Sequence, residues 1–450
     1  MTNPDVQETV DTVKRHATNQ LYRAASTTQQ TQHGTHGAAP DSRFANCGAR
    51  RLTRRVACYI GCLLMVAPLV SVAEGLSVKV GNTDLFPEIE LRYEQTDNAY
   101  RTDADPLDSD RFILSPRLEW VADKGLTSLN ATYVGSYAVA SESNLEFADH
   151  QLGFNGETEF SVRSRAEASL EFSLDHEEAG IFLSQGIAQD LNELNTLQQI
   201  ALSLEHTYGV RSARGNIVTG LDFRDINFNN NDNITRGGSQ SLLSPYIDFS
   251  LRISGDTRGF LRLKHTTFDA ESALRDGNAL EAALGLKWDI SGRTGGLLTL
   301  GQSTRSFDAG FEDQSTAVYE LTAFYNPTNF SRFQLSAGRE FSARNPSPEN
   351  FQGEDSIADE LTLLWDYGWS SRFSHRVRIK SEGVSRECPE PDTQRTIAGL
   401  DLNLVVRRWL SIGAGYTVES RDSSTCSGVT DEDDLDFDRQ QISVFTRVTL

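Results

Sequence analysis

From Leu85 to the end of the chain, apolar and polar residues alternate with a period of two, segment after segment. Side chains on a β-strand point alternately to opposite faces, so each segment reads as a strand with one oily and one wet face. In the first, Pro87, Ile89, Leu91 and Tyr93 share one face, and Glu88, Glu90, Arg92 and Glu94 share the other. Then Phe112, Leu114, Pro116, Leu118 and Trp120 oppose Ser115, Arg117 and Glu119. Near residue 170, Ala168, Leu170, Phe172 and Leu174 oppose Glu167, Ser169, Glu171 and Asp175. Toward the end, Leu400, Leu402, Leu404 and Val406 oppose Asp401, Asn403 and Arg407.

The connections have a rhythm of their own. Tight turns are expected near Lys124-Gly125, Arg163-Ser164, Arg211-Ser212, Gly255-Asp256, Gly292-Arg293, Pro327-Thr328, Ser370-Ser371 and Arg408-Trp409. Long polar loops are expected between them, near 102–110, 141–149, 178–192, 228–239, 268–277, 307–315, 343–356, 386–394 and 421–436. Eight turns and nine loops separate eighteen strands. A single soluble sandwich does not run this long. Short turns at one end and long loops at the other are the bacterial outer-membrane pattern. The expected fold is therefore all-β: a transmembrane antiparallel up-and-down barrel of about 18 strands over residues 85–450, with both mature termini periplasmic.

The net charge of −21 suggests a soluble protein. However, a barrel shows lipid only every second residue, so its average is polar. No apolar run of spanning length lies beyond residue 73, which excludes a transmembrane helix in the mature chain. Outward aromatics such as Tyr93, Trp120, Tyr133, Tyr137, Tyr208, Trp288, Tyr325, Trp365, Tyr367 and Tyr416 suit interfacial girdles. The last segment, Ile442 to Leu450, alternates to its end, as an assembly signal does, with Leu450 in place of the usual phenylalanine.

Upstream, residues 51–73 form an expected signal peptide. Arg50, Arg51, Arg54 and Arg55 precede an apolar stretch from Val56 to Val70, and Ser71-Val72-Ala73 is a small-x-small exit. The mature chain would start at Glu74, with 74–84 a short periplasmic segment. Residues 1–50, rich in Thr, Gln, Asn and His, read as a disordered polar leader that follows from a start site placed too early.

The inward face is densely charged. Acids there include Glu88, Glu90, Glu157, Glu159, Glu167, Glu171, Asp248, Glu281 and Glu360. Bases gather as Arg252, Arg262 and Lys264 on strands eight and nine, and as Arg372, Arg376, Arg378 and Lys380 on strand fifteen. A basic wall facing an acidic one would select among solutes by a transverse field. The plainer alternative is solvated or mutually paired charge. Few aromatics are expected inward, Phe260 and Phe324 among them. The loops are acidic, with Asp103, Asp105, Asp108 and Asp110 in the first and Asp431, Glu432, Asp433, Asp434, Asp436 and Asp438 in the last. They lack the glycine and closing glutamate of a calcium loop and read as solvated charge.

Cys388 and Cys426 fall in the last two external loops, where they form one disulfide or stay as two thiols. No cofactor, metal or nucleic-acid partner is expected, and no catalytic residue. Of the mature histidines, His150, His176, His206, His265 and His375, only His176 has acids beside it, Asp175 and Glu177; no serine motif or His-x-x-x-His spacing accompanies them.

One stretch carries a family likeness. Arg92-Tyr93-Glu94-Gln95-Thr96-Asp97-Asn98-Ala99-Tyr100-Arg101, followed by Asp110-Arg111-Phe112-Ile113-Leu114-Ser115-Pro116-Arg117-Leu118, resembles the β-barrel porin 2 family. The resemblance implies a Gram-negative outer-membrane barrel serving as a passive conduit associated with exopolysaccharide export. Its expected partners are outer-membrane lipid and lipopolysaccharide, the barrel-assembly machinery, and polysaccharide or export-system components. Two alternatives are a closed structural or surface-binding barrel and a general or nutrient porin.

Overall fold

The computed structural model describes residues 77–449, other than 236, 291, 342–354, 386–391 and 425–434. The expected leader, the signal peptide, Cys388, Cys426, the acids at 431–434 and Leu450 lie outside the described residues. The strands, in order, are β1 (Val78–Val80), β2 (Thr83–Thr96), β3 (Ser109–Lys124), β4 (Thr127–Ala140), β5 (Phe147–Ser161), β6 (Ser164–His176), β7 (Thr196–Tyr208), β8 (Gly215–Phe228), β9 (Gln240–Ser254) and β10 (Thr257–Ala270). They continue as β11 (Gly277–Ile290), β12 (Thr294–Phe307), β13 (Gln314–Thr328), β14 (Ser331–Phe341), β15 (Ile357–Gly368), β16 (Phe373–Ser385), β17 (Asp392–Arg407), β18 (Leu410–Ser424) and β19 (Phe437–Thr449).

Each strand from β2 to β19 pairs antiparallel with the next, and β19 pairs back onto β2, with Val444 opposite Tyr93. That closes an eighteen-stranded barrel and leaves no edge. β1 is a short arm that folds back on β2 through Gly81, whose φ is +64°. Residues 74–84 are thus not just a lead-in: pairing begins at Val78, and the barrel's first strand begins at Thr83.

Strands run from 11 to 16 residues. Fourteen residues at about 3.4 Å each, tilted by about 45°, rise about 34 Å, somewhat more than an apolar band about 25 Å tall. The outer face is apolar and exposed: Leu280, Leu284, Leu300 and Ile442 each show more than half of their surface. The inner face carries the charge. Water would oppose this inside-out arrangement, and hydrocarbon favours it.

Seven of the eight short connections fall where the sequence puts them, and Gly125, Gly255 and Gly292 supply the positive φ that three of them need. The sixth is displaced. Pro327 and Thr328 still belong to β13, and the turn is Asn329-Phe330. A register shift between Tyr325 and Thr328 accommodates the proline, which has no N–H to give the ladder.

At this short-turn end, outward rings cluster on β14–β16. Phe333 stacks with Trp365 at 5.7 Å, and Trp365, Tyr367 and Trp369 surround His375, whose Nδ1 accepts from Trp369 Nε1 at 2.8 Å. Inward rings lie flat on the wall over glycines of the next strand. A Cβ on Gly220, Gly285 or Gly413 would fall within 2.2 Å of Tyr246, Phe260 or Phe445.

Candidate functional site

Register places the expected lumen charges. Glu88 and Glu90 point inward from β2, and Arg447 of β19 reaches them at 3.4 and 2.6 Å. Arg92 closes on Glu90 at 2.8 Å. Arg262 of β10 forks onto Asp248 of β9 with two bonds of 2.8 Å, and its guanidinium lies over Tyr246 and Phe260. Lys264 stands opposite Glu281. On β16, Arg376 holds Asp366 at 2.6 Å and Lys380 holds Glu382 at 2.6 Å, with Arg378 between them on the same face. Arg252 points inward near the last residues of β9 and donates to the carbonyl of Arg211.

Two expectations need correction. Arg372 is not a lumen charge: it is exposed in the turn before β16, because strand alternation ends where the backbone turns. Inward aromatics are also more numerous than expected. Phe147, Tyr246, Phe268, Phe307, Phe437 and Phe445 join Phe260 and Phe324. Arginines cover most of them, including Arg305 on Phe268 at 3.8 Å and Arg92 on Phe445 at 5.0 Å.

Of the seven expected bases, Arg262, Arg376 and Lys380 thus sit in local ion pairs. A transverse polarity nevertheless survives. Glu157, Glu167 and Glu205 stand in one register row across β5, β6 and β7. β7 and β16 are the sixth and fifteenth of the eighteen barrel strands, half a turn apart, so this acidic row faces the wall that carries Arg376, Arg378 and Lys380.

A cavity of about 1230 Å³ runs along the interior. Arg293, Asn329 and Phe330 line it at the short-turn end, and Asp149, His176 and Glu178 line it toward the long loops. Above it sits a feature that the pattern of the sequence did not announce. The connection 177–195, between β6 and β7, reaches to the wall formed by β18, β19 and β2. Arg101, in the loop after β2, donates to the carbonyl of Ala179 at 2.6 Å and to Glu419 of β18 at 3.0 Å. Arg421 donates to the carbonyl of Gly180 at 2.9 Å. Arg111 of β3 joins Glu94 at 2.6 Å and Glu178 at 3.2 Å.

Glu419 is the hub. Its side chain is fully buried, and Arg101, Arg395 and Arg439 all converge on it within 3.0 Å. An unpaired buried carboxylate would be costly, and three guanidiniums remove that cost while fixing the geometry. Burial alone would raise the Glu178 carboxyl, but Arg111, His176 and Arg101 outweigh it and hold the group well below the usual carboxylate range. Beside it, Glu177 lacks an arginine. Burial pushes its carboxyl up to about 7 even though it accepts from Ser184 N and Asn195 Nδ2. Ala99, Tyr100, Leu145, Ala179, Ala188 and Leu194 pack as a small apolar core between the three loops.

A second buried cluster lies on the far side of the long-loop end. Asp355 receives Arg305 at 2.8 Å and Arg275 at 3.3 Å, and all three are nearly inaccessible. His176, the one suggestive histidine, stacks on Phe147 at 3.9 Å, with Nδ1 on Asp149 at 2.9 Å and Nε2 3.8 Å from Glu178. This makes it a clasp at the root of the inward loop. His206 faces outward and bonds Ser164 at 2.9 Å. Among the described residues no group of His, Cys, Asp and Glu is placed to hold a metal ion.

No family model and no curated protein matches the chain. Several solved structures do. The chain is similar to OccK3 (OpdO) of Pseudomonas aeruginosa, with 15% identity, 81% of this chain and 95% of that one covered, and a TM-score of 0.40. It is similar to OccK2 (OpdF) of that organism in complex with glucuronate, with 12% identity, 81% and 98% coverage, and a TM-score of 0.42. It is also similar to the siderophore receptor PirA of the same organism, with 9% identity, 81% and 80% coverage, and a TM-score of 0.37. Likeness at this level carries no functional argument. The resemblance to the porin 2 family covers roughly residues 85–120.

Proposed function

We propose that the protein is an outer-membrane channel for hydrophilic, charged solutes, narrowed at its long-loop end by the inward connection 177–195. The supporting observation is the continuous charged cavity of about 1230 Å³ inside a closed barrel whose outer face is apolar. A barrel of eighteen strands leaves an aqueous bore unless something fills it. Here the loop is clasped to one side of the rim. The short-turn end, with both termini of the barrel, would face the periplasm, and the long loops the exterior. Lipid and lipopolysaccharide would meet the apolar belt, and the barrel-assembly machinery would insert the chain. The charges inside serve permeation and loop anchoring, and no residue is assigned a catalytic role.

Planar-bilayer recording of the purified barrel tests this reading. Stable ohmic steps in potassium chloride are the expected result; absence of conductance at any salt concentration would leave a closed structural or surface-binding barrel.

A second reading, a conduit for exopolysaccharide or its export system, draws support from the porin 2 resemblance and from the inward rings. Sugar rings stack on aromatic faces, and Tyr246, Phe260, Phe324 and Phe445 each carry an arginine within 5.8 Å, which suits an acidic sugar chain. Deleting the gene and measuring secreted polysaccharide separates this from a nutrient porin, whose loss would slow uptake instead.

A further inference from the structure

Charge is partitioned along the barrel axis. The short turns contain Arg163, Arg211, Arg214, Arg293, Arg372 and Arg408 against a single acid, Asp256. The long connections are mainly acidic. Pairing inside the bore follows the same axis. At the long-loop end, buried arginines meet acids: Arg101, Arg395 and Arg439 on Glu419, and Arg275 and Arg305 on Asp355. Lower down, Arg262 has Asp248, and Arg447, near the end of β19, has Glu90.

One sector of the short-turn mouth breaks this rule. Arg165 of β6, Arg252 of β9 and Arg258 of β10 all point inward beneath the six-residue turn 209–214, the longest of the short connections. Among the described residues no carboxylate lies within 4.0 Å of any of them. Their partners are neutral carbonyls of that turn. Arg165 donates to Gly209 O at 3.3 Å, Arg252 to Arg211 O at 2.5 Å, and Arg258 to Arg211 O at 2.9 Å and Ala213 O at 3.2 Å. Arg252 Nε and Arg258 Nη1 are out of contact with water and have no hydrogen-bond partner. Arg252 and Arg258 also stand directly opposite one another across β9 and β10, where like charges repel. The nearby acids act only at a distance: Glu159, across from Arg165, is held with Glu157 by Arg211, Glu167 and Glu205 attract Arg165 from one inward position further along β6 and β7 without touching it, and Asp256 sits in the next turn.

Three guanidiniums are gathered on three neutral carbonyls of one turn, and among the described residues none of them has a carboxylate in contact. We propose that Arg165, Arg252 and Arg258 form a binding site for a multivalent oxyanion, phosphate- or carboxylate-bearing, at the short-turn mouth of the bore. Guanidinium forks match both groups in geometry, and a ligand with several charges offsets the repulsion that a single anion would leave. The acidic long-loop end repels the same ligand, so the site serves solutes presented from the short-turn side. The site does not require that the bore conduct.

The test is isothermal titration of the full-length barrel in non-ionic detergent at low salt, with tripolyphosphate in one arm and trigalacturonate in the other. Saturable binding of either probe, weakened at least tenfold in Arg252→Gln/Arg258→Gln and also weakened in Arg165→Gln, supports the site. Arg376→Gln, which removes a lumen arginine of another wall already paired with Asp366, should change affinity less than twofold. Absence of saturable binding of both probes, or equal affinity in wild type and Arg165→Gln, overturns it. Should the double variant fail to fold, Arg165→Gln and Arg252→Lys/Arg258→Lys decide: the first should weaken binding, and the second, which keeps the charge but loses the forks, should weaken it by less than tenfold. A barrel that binds but does not conduct would sink the channel reading and leave the site standing.

Discussion

Replacing Glu419 with glutamine should release the inward loop without unfolding the barrel. The substitution keeps the shape and removes one charge from a fully buried position where three arginines converge. The three are not equally dependent on it. Arg395 retains Glu382 at 2.8 Å, and Arg439 retains Thr96 at 2.9 Å and Gln441 at 2.6 Å. Among the described residues Arg101 retains only Glu178, 3.6 Å away, and the carbonyl of Ala179. Arg101 is therefore the group left buried and under-compensated, and with Arg421 it ties residues 177–195 to the wall of β18, β19 and β2. Removing one partner of a buried pair costs about 3–5 kcal/mol, and the low end applies because glutamine still accepts a hydrogen bond. About 3 kcal/mol shifts the docking equilibrium roughly 150-fold toward the released loop. Hydrogen exchange read by mass spectrometry measures this directly. The amides of Ile181, Ser184 and Gln185, which bond within the loop, should exchange on the order of 100-fold faster. Glu281→Gln, the same charge change on β11, should leave them unchanged. If exchange in the loop rises less than threefold in Glu419→Gln, or rises equally in β10–β12, the clasp is not what holds the loop.

Three further outcomes follow from the same contacts. Because burial raises the Glu177 carboxyl from its ordinary value to about 7, the folded loop binds the proton more tightly than the released one; loop docking should weaken as pH rises from about 4.5 to about 7 and level off above, and Glu177→Gln should abolish that slope in the exchange assay. Gly285→Val puts a Cβ 2.0 Å from the Phe260 ring and should cost about 1–3 kcal/mol, read as a lower temperature for loss of the compact form on unheated gels, with Phe260→Ala restoring much of it. Asp355→Ala strands Arg275 and Arg305, which are 3% and 1% exposed, and should destabilise the long-loop end by about 3 kcal/mol; a melting curve within a degree of wild type would count against that cluster.

The barrel was legible because a lipid-facing strand must repeat its pattern locally. Pro87, Ile89, Leu91 and Tyr93 announce their face within seven residues, and each next strand pairs with its predecessor in the chain. The clasp was not legible because its partners are distant: Arg101 meets Ala179 across 78 positions and Glu419 across 318. No periodicity joins such residues, since a loop's route across the bore is fixed by the barrel's closure and not by its own sequence. Faint signals exist. The connection 177–195 is the longest among those fully described, and Arg101 holds a φ of +54°, which a residue other than glycine adopts only when its surroundings impose it. Arg372 shows the opposite failure, the alternation carried past the last strand residue into a turn. Phe445 was within reach of the rule that put Val444 on the lipid face, and its neighbour in register, Gly413, makes room for it.

What alternation cannot distinguish is a lumen charge that holds the protein together from one that is open to a ligand, because both are inward and both are polar. Register and distance separate them. Glu419, Asp355 and Asp248 are consumed by arginines and belong to the architecture. Among the described residues Arg165, Arg252 and Arg258 hydrogen-bond only to carbonyls. A barrel that folds without a bound anion should tolerate neutral substitution at the second group far better than at the first. The ordering is then a joint test: Glu419→Gln should disturb loop exchange and leave anion affinity at the short-turn mouth intact, while Arg252→Gln/Arg258→Gln should do the reverse. Equal effects of both variants on both measurements would mean that the two ends of the bore are coupled and that the division between scaffold and site is wrong.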